Sequence, residues 1–198
     1  MPQPVSLSTF DLTASDQEWH EIADLFVACF SAAPYFEERS ELETIVTWGP
    51  TMLAGNGRLV TARMNGVLVG FALGHNLIHD VPWQKTLSRL EIAESTMAAI
   101  AAPQTALVIH ELAVRENERG RGIAGACMRE LLMGRAESQV FLGTYERAEA
   151  ARSMYRHWGF EPIGRVPMPG DATALHVLTS SLQDATKRLS SADRVAPV

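Results

Sequence analysis

The stretch Arg119-Gly120-Arg121-Gly122-Ile123-Ala124-Gly125 combines three glycines with two arginines. It lies between the apolar run TALVIHELAV and a helical pattern in CMRELLMGRAES. Glycines lighten a turn so that main-chain N–H groups can approach a ligand, and the N–H groups that open a helix lack intrahelical acceptors. Such a turn suits an anion, above all a phosphate or diphosphate. Two spellings fit the same letters. From Gly120 to Gly125 they read G-x-G-x-x-G, the dinucleotide pattern, with Glu146 about as far downstream as a ribose-binding acid. From Arg119 they read Arg-x-x-Gly-x-Ala, carried by Arg119, Gly122 and Ala124. Arg115 to Arg119 stand between strand and glycines, a gap that dinucleotide turns lack. A third reading is a solvated loop with its glycines at positive φ.

Just upstream, VIHELAV offers two groups able to move a proton. Side chains alternate along a strand, so His110 shares a face with Val108, Leu112 and Val114, while Glu111 points the other way with Ile109 and Ala113. A histidine titrating near 6.5 suits base work at neutral pH, which ranks His110 ahead of Glu111. Each also has a plain reading, His110 as a packed, hydrogen-bonded strand histidine and Glu111 as the partner of a nearby arginine or backbone group. His75 and His79 are spaced like two metal ligands on a helix, yet they follow a strand and lack further ligands, so no metal is expected. In PYFEE, residues Tyr35, Phe36 and Glu37 could receive an apolar cation, but proline followed by acids reads first as a helix start.

The elements that carry these residues follow from periodicity. Val5 to Leu12 reads as a strand. Ser15 with Glu18 forms a capping box, and Ile22, Leu25, Phe26 and Cys29 line one face of a helix ending before Pro34. A second helix is expected over about Glu37 to Leu53. Two β-rich runs in RLVTARMNGVLVGFALG meet at Asn65-Gly66, a two-residue hairpin turn. A helix in SRLEIAESTMAAIAA leads to TALVIHELAV as a central strand. Then come a helix of about Gly122 to Glu137, strand QVFLGTY, a helix through ARSMYRHW, and strands near FEPIGRV and TALHVLTS. The polar segment after Ser180 reads as a short helix fraying into disorder.

The chain's 198 residues, 46% apolar and 20% charged, predict one domain over residues 1–180 with a polar tail at 181–198. A net charge of −6 argues against nucleic acid and anionic membranes as partners, and no apolar run is long enough to span a bilayer. The N-terminus resembles no secretory signal, and Cys29 and Cys127 are too few for a disulfide framework, so a cytoplasmic protein with two buried thiols is expected.

Together, VIHELAVRENERGRGIAGACMRELL and AARSMYRHWGFEP resemble the GNAT superfamily of acetyl-CoA-dependent N-acetyltransferases. Leu112 and Val114 match that family's strand; Arg119, Gly122 and Ala124 match its turn; Tyr155, Gly159 and Phe160 match its Tyr-x-x-x-Gly-Phe. The resemblance in element order covers residues 5–180 and is specific from Ile109 to Glu161. It implies an α/β (α+β mixed) fold, a central, mostly antiparallel mixed sheet flanked by helices. It also implies direct transfer of acetyl from acetyl-CoA to a primary amine, on a small molecule or peptide, in a ternary complex. By resemblance, Arg119, Gly120, Arg121, Gly122, Ile123, Ala124 and Gly125 would hold the diphosphate, and Leu112, Ala113 and Val114 would pair with the pantetheine arm. Tyr155 would protonate the departing thiolate, and His110 or Glu111 would serve as base. One departure is Ala148, seven positions before Tyr155, where relatives often carry a coenzyme-contacting asparagine. Two rivals stand beside this reading: a non-catalytic acyl-CoA sensor and an NAD-dependent oxidoreductase. Whether the chain forms a homodimer is left open.

Overall fold

The structure is a computed structural model that describes residues 4–90, 98, 101–167 and 174–192. The chain forms two compact units, one from residues within 1–75 and 110–133, the other from residues within 76–109 and 134–198.

In the first unit, β1 (Ser6–Phe10) pairs antiparallel with β2 (Arg58–Met64), which pairs antiparallel with β3 (Val67–Asn76). Asn65 and Gly66 join β2 to β3 with φ of 50° and 81°, the positive angles a two-residue turn needs. Helix α1 (Asp16–Phe30) starts at Ser15, whose hydroxyl accepts from the Glu18 N–H at 3.1 Å. Its buried face of Trp19, Ile22, Leu25, Phe26 and Cys29 packs into a core with Ile45, Leu53, Leu59, Phe71 and Leu73. The single helix expected over Glu37 to Leu53 is instead two, α2 (Arg39–Leu42) and α3 (Ile45–Ala54). Phe36 at φ 55° and an extended Glu38 keep the start out of helix. Between the two helices, the Thr44 hydroxyl donates to the Glu41 carbonyl, offering the backbone an alternative to a continuous ladder. The unit also holds the C-terminal part of β4 (Ala106–Val114) and helix α5 (Ile123–Leu132). Helix α5 stops five residues short of the expected Glu137 because Met133 is extended and Gly134 takes φ 68°.

The second unit opens with a 3-10 turn, Leu77–His79, and α4 (Val81–Leu87), which the Asp80 side chain caps by accepting from the Trp83 N–H at 2.9 Å. The helix expected in SRLEIAESTMAAIAA lies largely outside the described residues. The first half of β4 pairs in parallel with β5 (Gln139–Tyr145). Helix α6 (Glu149–His157) leads to β6 (Glu161–Pro167), which pairs antiparallel with β7 (Ala174–Ser181), as β5 does. Helix α7 (Leu182–Ala192) follows, with Ala185 and Leu189 fully buried. Leu77, Leu87, Ala106, Val108, Phe141 and Val177 form this unit's core.

All seven strands are hydrogen-bonded in the order β1-β2-β3-β4-β5-β7-β6, and β4–β5 is a parallel pair in an otherwise mostly antiparallel sheet. This is the mixed α/β architecture that the sequence implied.

Candidate active site

The parallel ladder between β4 and β5 ends at Ile109↔Leu142. His110 to Val114 run on past it, so the Leu112, Ala113 and Val114 stretch is not paired to β5. A main-chain edge left behind by its neighbour suits an extended ligand bearing amides.

After Val114 the chain is anchored before it turns. The Arg115 N–H donates to the Val69 carbonyl at 2.8 Å, and its guanidinium donates to the Leu68 carbonyl at 3.2 Å. A 3-10 turn at Glu116–Glu118 follows, then Gly120 and Gly122 with φ of 76° and 77°. Gly122 is the N-cap of α5, and no side chain caps the helix. The first helical bond runs from the Ala126 N–H to the Gly122 carbonyl at 2.9 Å, so the N–H groups of Ile123, Ala124 and Gly125 precede the ladder. A Cβ at Gly120 or Gly122 would meet nothing within 4 Å, so these glycines answer to backbone conformation and leave open space above the turn. Uncapped donors at the positive end of a ten-residue helix, facing open space, fit a diphosphate. One of the two arginines contributes less free charge than the letters implied, and the other is tied back to the strand. Arg121 pairs with Glu118 at 2.8 Å, and Arg119 Nε donates to the Val114 carbonyl at 3.2 Å.

The two proton-moving candidates lie in different surroundings. His110 sits with its ring centroid 4.9 Å from that of His75 and 6.4 Å from that of Trp48. Glu111 has no hydrogen bond or ion pair among the described residues, so the arginine partner considered for it is not formed. Burial pushes its carboxyl well above the usual carboxylate range, and the negative charge of Glu37 adds to the rise. Glu37 lies in the loop between α1 and α2, where its N–H reaches back to donate to the Phe30 carbonyl at 3.0 Å. Nearby, burial raises the Tyr35 phenol; the Arg119 charge opposes the rise, while the Cys29 thiol and the Glu37 and Glu111 charges add to it. Tyr35, Glu37, Glu111 and Arg119 therefore share one electrostatic neighbourhood. The PYFEE string carried that signal, but its helix-start reading masked it.

Tyr155 belongs to the second unit, near the end of α6. Its buried ring meets Trp158 and Phe160 edge-on, at centroid distances of 5.8 and 5.9 Å. The spacing Tyr-x-x-x-Gly-Phe has a local physical cause. The Phe160 N–H donates to the Tyr155 carbonyl and the Gly159 N–H to the Arg156 carbonyl, both at 3.0 Å, with Gly159 at φ 86°. This is a Schellman cap, in which the left-handed position wants glycine and the residue after it packs on the last turn. Ala148, buried at the N-cap of α6, offers no side-chain cap.

Residues 19–160 match the family described as Acetyltransferase (GNAT) family. The chain belongs to the GNAT family of acetyltransferases. Solved structures agree on the fold. The protein yncA from Salmonella typhimurium, solved with its cofactor acetyl-CoA, is 12% identical over 90% of this chain and 94% of its own, with a TM-score of 0.64. The ribosomal-protein-S18-alanine N-acetyltransferase from Escherichia coli is 10% identical over 90% and 94%, with a TM-score of 0.60. An N-acetyltransferase from Staphylococcus aureus Mu50 is 16% identical over 90% and 99%, with a TM-score of 0.61. No curated protein matches the sequence. The acyl donor of the GNAT family is acetyl-CoA, so the coenzyme of this GNAT chain is acetyl-CoA, and its α5 turn has the donors and the space for that diphosphate. The family match sets aside the dinucleotide reading of the same letters.

Proposed function

We propose that this GNAT protein is an N-acetyltransferase that moves acetyl from acetyl-CoA directly to a primary amine of a small molecule or peptide in a ternary complex. The observation that carries the reading is the uncapped start of α5 behind a left-handed Gly122, in a chain whose family uses this coenzyme. Ile123, Ala124 and Gly125 offer N–H groups to the diphosphate, Gly120 and Gly122 shape the turn, and Arg119 and Arg121 flank it. The Leu112, Ala113 and Val114 edge hydrogen-bonds the pantetheine amides.

When bound, the coenzyme supplies the thioester; the chain's own task is to manage protons. A primary amine with a pKa of about 10.4 is neutral roughly once in 2,500 at pH 7, a deprotonation cost of about 4–5 kcal/mol. Glu111 takes that proton: burial and Glu37 raise its affinity for protons, and no arginine neutralises it. His110, ringed by His75 and Trp48, is the second candidate. Tyr155 returns a proton to the departing thiolate. Glu111 and Glu37 also favour an acceptor that arrives as a cation. Two buried free cysteines suit a reducing compartment, and the cytoplasm is the proposed location.

The test is release of free coenzyme A thiol across a panel of amines and N-terminal peptides. Turnover on at least one amine is expected. Saturable acetyl-CoA binding without turnover on any of them, and without loss in Tyr155→Phe, would instead mark an acyl-CoA sensor.

A further inference from the structure

The coenzyme turn rests on β3 at a place that no motif marks. In the β2–β3 pairing, Ala62 faces Gly70 and Arg63 faces Leu68, so Val69 has no partner residue on β2. This is a β-bulge, a device that redirects main-chain groups. Here the Val69 carbonyl accepts from the Arg115 N–H at 2.8 Å and the Leu68 carbonyl accepts from the Arg115 guanidinium at 3.2 Å. Both bonds tether the chain as it leaves β4 for the turn.

Gly70 follows the bulge. Unlike Gly120 and Gly122, it does not take a positive φ, so backbone conformation does not call for glycine there. Space does. A Cβ at Gly70 would lie 3.0 Å from Ile123 Cγ2, 3.2 Å from the Ala113 carbonyl oxygen and 3.3 Å from Val114 Cγ2. Glycine inside a strand weakens it and marks a close approach. The approaching group is Ile123, the first residue of α5, buried directly after the Gly122 N-cap. Main chain on the Ala113 side cannot easily yield, so added bulk displaces the helix start and with it the donors of Ile123, Ala124 and Gly125.

We propose that the Leu68–Gly70 bulge is the seat of the coenzyme turn and that Gly70 is a positioning residue for acetyl-CoA, setting how closely the α5 N-terminus approaches β4. The inference rests on the turn being the diphosphate site.

The experiment measures binding of two ligands by calorimetry on the full chain: acetyl-CoA, and S-acetylpantetheine, which carries the same thioester without the diphosphate. Gly70→Ala is expected to weaken acetyl-CoA about tenfold and S-acetylpantetheine less than about twofold, because misplaced donors penalise only the diphosphate. A merely structural role would not move that ratio. Equal loss for both ligands, or unchanged acetyl-CoA affinity, overturns the proposal. Gly122→Glu separates the two levels of the reading. If it leaves acetyl-CoA binding unchanged, the diphosphate site itself is wrong; if it abolishes binding while Gly70→Ala is harmless, only the seat is wrong. Should Gly70→Ala not fold, Arg115→Met decides in its place, with about threefold weaker acetyl-CoA and unchanged S-acetylpantetheine expected from one lost hydrogen bond, and no change overturning the seat.

Discussion

Glu111 and the two cysteines show how burial sets reactivity one side chain at a time. A desolvated carboxyl with no cationic partner holds its proton to higher pH in the folded chain than in the unfolded one. That contribution to stability is fully present below the ordinary value of 4.5 and is lost as pH rises through the raised folded value. Glu111→Gln is uncharged at every pH, so it should melt above the wild type at about pH 8 and level with it at about pH 4. In the same variant, kcat/KM should fall about 10²- to 10⁴-fold, as for loss of a general base, and the acidic limb of the pH profile should vanish. Retained activity with an unchanged profile would transfer the role to His110. Burial pushes the Cys127 thiol up to about 12 and raises Cys29 as well, so neither is a thiolate near neutrality. Alkylation by iodoacetamide should leave the native protein unlabelled and modify both cysteines in denaturant.

At the scale of elements, caps decide where the site-bearing helices begin and end. Arg58 on β2 donates through Nη1 to the carbonyls of Glu130, Leu131 and Met133 at the end of α5, and through Nε to Asp11 at 2.6 Å. It thereby satisfies the carbonyls that the helix C-terminus leaves over. Arg58→Met should cost about 2 kcal/mol in urea unfolding, the usual range for hydrogen bonds to a charged group. Gly159 ends α6 at φ 86°, and a Cβ there would lie 2.5 Å from Arg188 Cδ. Gly159→Ala should therefore destabilise by about 1–2 kcal/mol, through left-handed strain in a residue with a side chain. The Tyr-x-x-x-Gly-Phe spacing was thus legible because it is local cap chemistry. The late start of α2 and its break from α3 were not, because the first depends on the conformations of Phe36 and Glu38 and the second on the Thr44 hydroxyl bonding the Glu41 carbonyl, which no periodicity reports.

For the whole molecule, the family and the turn make one prediction that needs no knowledge of the acceptor. Acetyl-CoA at about a hundred times its dissociation constant should stabilise the chain by about 2.7 kcal/mol, a rise of roughly 5–10 °C in melting temperature for a protein of this size. NAD at the same concentration should leave the melting temperature unchanged. A net charge of −6 adds a second expectation, that KM for a cationic acceptor rises with salt as the long-range attraction is screened.

The sequence by itself determined the features whose physics is local. These were the Ser15 cap, the Asn65-Gly66 hairpin, the alternation that separates His110 from Glu111, and the glycine turn and Schellman spacing that resemble the GNAT family. Only the tertiary structure decided what depends on groups far apart in the chain: that Glu111 lacks an arginine and feels Glu37, and that Gly70 leaves room for Ile123. Periodicity and capping are written within a few residues, whereas desolvation and close approach are set by whichever segments folding brings alongside.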